Sequence, residues 1–288
     1  MRLHRLFFFQ VTFGIIWWGG LLVQPSHAVT TVNIKPSLSL EGGKINPTDV
    51  AIWNNPLDET KSLIFGNSFH KEGELIGWDI TGKEQIRLTF PPPINFDVMP
   101  NVDLGGSTSK EVLVVVDKDD DKLIVYEIKM ESPIIANITA EDHVPLGMGS
   151  HCNRVALYKR KSDGALFAFV SSDKEGFPIK QFRLLHDGAG AIRGYLARTI
   201  PMGNKAVNGL AVDSDHDHLY VSIKGEGVAQ YYADPNLLNN EAISHFGQGG
   251  TGDWSDLGIY ECANGMGFVV LYDNVKNVVN LYNHPSCV

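Results

Sequence analysis

Positive charge is scarce in this 288-residue chain: 24 Lys and Arg stand against 33 Asp and Glu, a formal net charge of −9. That argues against a nucleic-acid groove or a basic patch for a membrane surface. Cysteine is scarcer still. Cys152, Cys262 and Cys287 can form one pair at most, which excludes a disulfide framework and leaves open which two would join. Helical periodicity is missing too, since no window of a dozen residues keeps a 3.6-residue apolar repeat with caps at both ends. No G-x-S-x-G elbow is recognisable, so a serine nucleophile of that type has no support. What is present is ample core material, with 43% hydrophobic and 20% charged residues, a balance that excludes general disorder.

The first 28 residues stand apart. Arg2 and Arg5 open the chain, an apolar stretch runs over 6–23, and Ser26-His27-Ala28 offers a small-x-small cleavage site. This is the layout of a secretory signal peptide. Gln10, Thr12 and three glycines weaken the rival reading, a retained membrane anchor. The expected organisation is a signal peptide over 1–28 and one domain over 29–288. The expected location is secreted or periplasmic, with no stable membrane insertion after cleavage.

The remainder reads as all-β. Short segments rich in Val, Ile, Phe and Tyr, separated by Gly-, Asn- and Asp-rich turns, predict strands at 50–53, 62–65, 75–79, 112–116, 123–128, 155–158, 166–170 and 180–184. Six more follow at 209–212, 219–222, 228–232, 258–260, 268–271 and 278–282. A unit recurs along the chain: a strand ending in "AIW", "ALY", "LAV" or "GIY", a polar turn, a second strand such as "SLIFG" or "HLYVS", and a third carrying an aromatic. Units start near Asp49, Asn153, Asn208 and Asp253, and a fifth near Asn101, where "NVDL" precedes "KEVLVVVD". Repeats of roughly 40–50 residues, each a small antiparallel sheet, are the mark of a β-propeller. A two-sheet sandwich would give no reason for the repeated motif order.

At this level of detail the residues resemble the β-propeller phytases. "PTDVAIWNNPLDETKSLIFG" followed by "GELIGWDITGKE" is similar to that family's opening blade, and the likeness continues through "PNVDL", "ALYKRKSDGALFAFVSSDKEG", "NGLAVDSDHDHLYVS", "YYADP" and "GIYECANGMGFVVLYDN". It covers roughly residues 46 to 282. The resemblance implies a six-bladed propeller and a calcium-dependent phosphomonoesterase acting on inositol hexakisphosphate (phytate). The chemistry is coherent. A highly anionic substrate meets an acidic protein through bridging cations and local lysines, and calcium takes six to eight oxygen ligands. Such ions hold phosphate and activate water, so no Ser or Cys nucleophile is needed.

Carried over position by position, the resemblance implies metal ligation by Asp49, Asp103, Glu175 and Asp253. It implies phosphate binding by Lys71, Lys118 and Lys174, which are also the expected catalytic cations, and substrate contact by Asn101 beside Asp103. Lys118 stands where the family has an arginine, which keeps charge but loses the bidentate fork. Trp53, Trp78 and Tyr158 read as packing residues between sheets.

Other positions depart from the pattern. Asn153 replaces a Tyr-Gly pair, Asn208 a glutamate, and Ser255 the glutamate of an Asp-x-Glu-Gly motif, although Asp256 lies next door. Lys224 falls in a stretch that is acidic in the family. Calcium affinity tracks ligand charge, so these changes weaken at least two metal positions. Two further clusters, 117–122 and 213–218, carry alternating acids. The first lacks the Gly and the terminal Glu of a calcium loop, and both read as polar hairpin turns, although His216 and His218 of the second have metal-ligating chemistry. Asn137-Ile138-Thr139 is a glycosylation sequon that matters only in a eukaryotic host.

The fifth unit has three clear strands and the sequence leaves no room for a sixth, so about five blades are expected in an incomplete version of the six-bladed design. In the resemblance, "TTVNIKPSLSL" supplies an outer strand that closes the last blade. Three readings stand open: closure with five units, a protein partner covering the open blade edge, or truncation. Function likewise has two leading readings, an exported calcium-dependent phytase-type phosphatase and a non-catalytic propeller that binds a ligand or a protein. A lactonase-type propeller hydrolase is a third.

Overall fold

The computed structural model describes residues 40, 49–68, 73–89, 95–105, 108–129, 134–140, 144–237, 239–247, 254–261, 267–273 and 275–284. Residues 1–28, "TTVNIKPSLSL" apart from Leu40, Lys71, Asp253, Cys262 and Cys287 lie outside these residues. Five antiparallel sheets follow one another along the chain as propeller blades. Blade 1 is β1 (Val50–Trp53), β2 (Leu63–Ser68), β3 (Glu74–Asp79) and β4 (Glu84–Thr89). Blade 2 is β5 (Phe96–Val102), β6 (Lys110–Asp117), β7 (Lys122–Ile128) and β8 (Ile135–Asn137), with β9 (Val144–Pro145) also pairing with β7. Blade 3 is β10 (Arg154–Lys159), β11 (Leu166–Ser171), β12 (Ile179–His186) and β13 (Ile192–Ile200). Blade 4 is β14 (Val207–Asp213), β15 (His218–Ile223), β16 (Gly227–Tyr232) and β17 (Ser244–Phe246). Blade 5 has three described strands, β18 (Trp254–Glu261), β19 (Gly267–Asp273) and β20 (Val278–His284).

The sheets in the middle of the order are apolar on both faces, because each packs on a blade at either side. β11, Leu-Phe-Ala-Phe-Val-Ser, is buried throughout. Its Leu166, Ala168 and Val170 join a core with blade 2, while Phe167 and Phe169 join a core with blade 4. Further cores link blades 1 and 2, with Trp53 and Phe65 meeting Leu113 and Val115, and blades 4 and 5, with Tyr220 meeting Leu257 and Leu271. Trp53, Trp78 and Tyr158 are all buried in this arrangement. The far face of blade 5 is different: Tyr260, Tyr272, Val279 and Leu281 are exposed there.

Turn chemistry explains the acidic clusters. The 117–122 segment is the β6–β7 hairpin, in which Asp117 Oδ1 accepts the Asp120 amide at 3.2 Å. In the β14–β15 hairpin Asp213 Oδ1 accepts the amides of Asp215 and His216 at 2.8 and 3.0 Å. Asp273 does the same for Val275 and Lys276, both at 3.0 Å. The residue at the tight point, Asp121, Asp217 or Asn277, has a positive φ of 50–55°, a conformation that Asp and Asn tolerate best after Gly.

Two sequence expectations shift. The second blade starts at Phe96 rather than near Asn101, which sits toward the end of β5 with φ 52°. β5 was hidden because Asp97, Pro100 and Asn101 interrupt its apolar pattern. The fourth strands β4, β8, β13 and β17 were also unread, being the outer strands of their sheets, where exposed positions interrupt the apolar pattern.

Candidate functional site

The innermost strands β1, β5, β10, β14 and β18 line a cavity of about 1200 Å³. Residues of β2, β3 and β19, among them Ile64, Trp78, Val270 and Tyr272, extend its wall along the facing sides of blades 1 and 5. Three carboxylates project into it: Asp49 just before β1, Asp97 at the start of β5 and Asp256 near the start of β18. They share one local design. Each Oδ1 accepts the amide of its following residue, Val50 at 2.9 Å, Val98 at 2.7 Å and Leu257 at 3.0 Å. That bond fixes the rotamer and turns the second oxygen toward the cavity or a neighbouring blade.

Blade-to-blade bonds then tie the ring together. Asp49 Oδ2 accepts from the Asn95 side-chain amide at 2.7 Å and from the Phe96 amide at 2.9 Å. Asp97 Oδ2 accepts from the Leu157 amide of blade 3 at 2.8 Å. Asn67 Oδ1 accepts the Asp49 amide at 3.0 Å. Blade 4 contributes Gly209 instead of a side chain, because a Cβ there would lie 2.8 Å from Asp256 Oδ1 and 2.9 Å from its Cα. The cation of the ring is Arg154, whose Nε donates to the Asn208 carbonyl at 2.7 Å and Nη1 to the Asn153 carbonyl at 2.8 Å.

The electrostatics follow from three acids beside one arginine. All three carboxylates line the cavity and are half-buried, with protein atoms packed behind them. Burial, then the charge of Asp256, holds the Asp49 carboxyl well above the usual carboxylate range. Burial pushes Asp97 up to about 6, against the lowering effect of its bonds from Leu157 and Val98. Burial also raises Asp256, and Arg154 pulls it back down. A buried group of acids that resists ionisation for lack of positive charge is chemically suited to a cation.

The residues expected from the sequence divide between two ends of the strands. Asp49 is in the ring. Lys118 lies in the β6–β7 hairpin at the same end, since the Val116 amide bonds the Asn95 carbonyl. Lys174 and Glu175 occupy the β11–β12 turn beside the start of β10, where Ser171 pairs with Arg154. Both are exposed, and Lys174 is 3.9 Å from Asp173. Lys224, in the β15–β16 turn, is exposed at this end too, its amide bonded to the Ala206 carbonyl. Asn101 and Asp103 lie at the opposite end of β5. Asp103 bridges to Ala165 in the β10–β11 connection, and its Oδ1 accepts the Gly105 amide at 2.7 Å. The structure therefore does not bring Asn101 and Asp103 to Asp49. Asn153 is buried, and its Oδ1 accepts the Asp173 amide at 3.1 Å, so it holds a turn in place.

Asp97, Asn95 and Arg154 were not anticipated as site residues. The signal was there: Asp-Val at 49–50, Asp-Val at 97–98 and Asp-Leu at 256–257 open three blades in the same way, and Asn95 and Asp97 share a strand face.

Among solved structures, the chain resembles the Cps50 (Swd1) β-propeller domain of Myceliophteria thermophila at 10% identity and a TM-score of 0.47, covering 84% of this chain and 85% of that one. It also resembles Raptor of Chaetomium thermophilum at 10% identity and a TM-score of 0.51, covering 86% of this chain and 21% of that one. At such identity the second likeness speaks to fold alone. Among the described residues no helix is long and apolar enough to cross a membrane. The family model described as Phytase matches residues 26–286, nearly the whole length over which the five blades and their carboxylate ring are built, and the chain belongs to that family.

Proposed function

We propose that the protein is an exported, calcium-dependent phosphomonoesterase of phytase type, acting on inositol hexakisphosphate or a similar phosphorylated small molecule. One observation carries the reading: Asp49, Asp97 and Asp256 converge in the central cavity of a phytase-family chain with Arg154 as the ring's cation. The donor set fits calcium, because it is all oxygen and carries more negative charge than its surroundings neutralise. Asp97 and Asp256 are the primary holders, with Asp49 behind them, since Asp49 Oδ2 already accepts two hydrogen bonds.

When bound, calcium would supply charge neutralisation for phosphate and acidify a water. The chain's own part is to keep the acids aimed through their backbone bonds, to keep apolar walls around them, and to present cations at the rim. Lys118 and Lys174 are those rim cations, placed to draw an anionic ester toward the opening. Residues 1–28 carry the export reading. Asn208 and Ser255 supply no carboxylate where family members have one, so slow turnover is expected.

The test is phosphate release from phytate by residues 29–288, with calcium and with a chelator. Calcium-dependent release that falls at least tenfold in Asp97→Asn supports the reading. Calcium-tight binding of phytate with no phosphate released would favour the non-catalytic propeller instead. Absence of both calcium and phytate binding would refute the proposal.

A further inference from the structure

At the other end of the strands, away from the carboxylate ring, three residues from distant parts of the chain converge. Asp213 closes β14, His216 sits in the β14–β15 hairpin, and His284 ends β20. One ligand-capable atom from each lies within 4.8 Å of the others. Asp213 Oδ2 is 2.6 Å from His216 Nδ1 and also 2.6 Å from His284 Nε2, so two imidazole nitrogens point at one carboxylate oxygen. We propose that Asp213, His216 and His284 form a binding site for a divalent transition-metal ion of the zinc class, clamping the blade 4 hairpin to the last strand of blade 5.

Several independent features aim at an ion here. His284 is buried, and its Nε2 has no hydrogen-bond partner despite lying close to the carboxylate. Its other nitrogen, Nδ1, is 2.7 Å from the Tyr220 hydroxyl, the outer partner that a ligating imidazole needs to fix its tautomer and ring plane. Asp213 commits Oδ1 to the amides of Asp215 and His216, which leaves Oδ2 as the ligand oxygen. Glu261, exposed at the end of β18, lies close enough to Asp213 for the two charges to interact. His218 flanks the cluster with its ring centroid 6.5 Å from that of His216, and its buried Nδ1 lacks a hydrogen bond.

The ligand chemistry selects the metal. Two imidazoles and a carboxylate suit zinc, cobalt or nickel, whereas calcium and magnesium prefer oxygen shells. Two ligands on a tetrahedral ion with bonds of about 2.0–2.1 Å stand a little over 3 Å apart, so loading requires an outward shift of under about 1 Å. His216 is exposed and free to make that shift. The role is structural, because β20 is the last strand of the described sheet and its far face is uncovered.

The test uses chelator-treated protein titrated with cobalt(II) and then zinc(II), read by visible absorption and by thermal unfolding. One equivalent per chain, tetrahedral cobalt bands displaced by zinc, and a raised Tm are expected. His216→Ala, a surface change that leaves the fold intact, should weaken the metal at least tenfold without altering any calcium response. Asp97→Asn, in the channel, should leave zinc binding unchanged, which separates this site from the one proposed above. Absent cobalt bands, or equal affinity in His216→Ala, would overturn the proposal. A loss in Asp97→Asn or His218→Ala but not in His216→Ala would overturn the assignment.

Discussion

Asn95 joins Asp49 to Val155: its Nδ2 donates to Asp49 Oδ2 at 2.7 Å while its Oδ1 accepts the Val155 amide at 2.5 Å. One buried side-chain amide therefore spans blades 1, 2 and 3. Nothing comparable links blade 5 to blade 1 among the described residues, where the cavity wall runs between Ile64 and Tyr272 instead. Rigidity and opening are thus distributed unevenly around the channel. Three blades are pinned by a shared polar residue, and the fifth is attached through blade 4.

The first expectation concerns that pin. Asn95→Ala removes both bonds, leaving the buried Val155 amide unsatisfied and Asp49 Oδ2 with the Phe96 amide alone. Each such loss costs ~1–3 kcal/mol, so a destabilisation of roughly 2–4 kcal/mol is expected in urea unfolding. Asn95→Asp retains the acceptor but sets a new carboxylate against Asp49, and should be at least as damaging without calcium. A loss below about 1 kcal/mol in the alanine variant would show that water replaces the amide.

How much of this was legible beforehand depended on where each residue type could hide. Inner and middle strands such as β11 and β15 announce themselves because they are buried on both faces and read as unbroken Val, Leu, Phe and Tyr. Outer strands such as β4, Glu-Gln-Ile-Arg-Leu-Thr, face solvent and look like loops. β5 escaped for another reason, since its acids and Pro100 serve the channel and the blade edge rather than the core. Losing β5 moved the apparent start of blade 2 from Phe96 to Asn101 and drew attention to Asp103, while the inward acid is Asp97. Arg154 was equally silent, because a single arginine before a strand has no periodic signature. The convergence of His284 on Asp213 is a matter of blade 5 packing on blade 4, which local spacing does not encode.

Metal response is the second expectation. Millimolar calcium should raise Tm and magnesium should do so less, since calcium accepts a larger and more irregular oxygen shell. Saturation at about a hundredfold over Kd adds ~2.7 kcal/mol, a rise of roughly 5 °C or more for a chain of this size. The double variant Asp97→Asn, Asp256→Asn should abolish the calcium increment while keeping the zinc response. A calcium increment that survives the double variant would place the ion elsewhere, with the exposed Glu175 as the next ligand to remove.

A third expectation is a pH effect that involves none of the proposed metal ligands. Arg160 binds Asp163 through Nε at 2.9 Å and Nη2 at 2.6 Å, stacks over Phe167, and holds the Asp163 carboxyl down at about 2. A carboxylate with a lowered folded pKa stabilises the protein above its unfolded value near 4, and that contribution disappears as pH falls through about 2. Asp163 is 44% exposed, so solvent screening limits the pair to about 0.5–1 kcal/mol. Asp163→Asn should therefore lower stability by that amount at pH 7 and by nothing measurable near pH 2. An equal effect at both pH values would mean that the loss comes from turn geometry, in which Asp163 Oδ1 also accepts the Ala165 amide.

The last expectation is activity. Unmodified protein should release phosphate from phytate slowly even with calcium, because Asn208 and Ser255 stand in the sequence where the family pattern has carboxylates, and calcium affinity tracks ligand charge. Asn208 holds Arg154 through its backbone carbonyl, a contact that Asn208→Glu keeps. Ser255→Glu adds another immediately before Asp256. The double change Asn208→Glu, Ser255→Glu should raise calcium-dependent kcat/KM at least tenfold and leave the chelated enzyme inactive, since water activation depends on the ion. The new charges also repel one another in the empty channel, so the double variant should melt below the parent until calcium is added. Fast calcium-dependent turnover by the parent would show that Asp97 and Asp256 suffice and that the two lost carboxylates matter little. A double variant that binds calcium tightly yet stays inactive would instead locate the defect between Ile64 of blade 1 and Tyr272 of blade 5, where the described residues place no hydrogen bond from blade to blade.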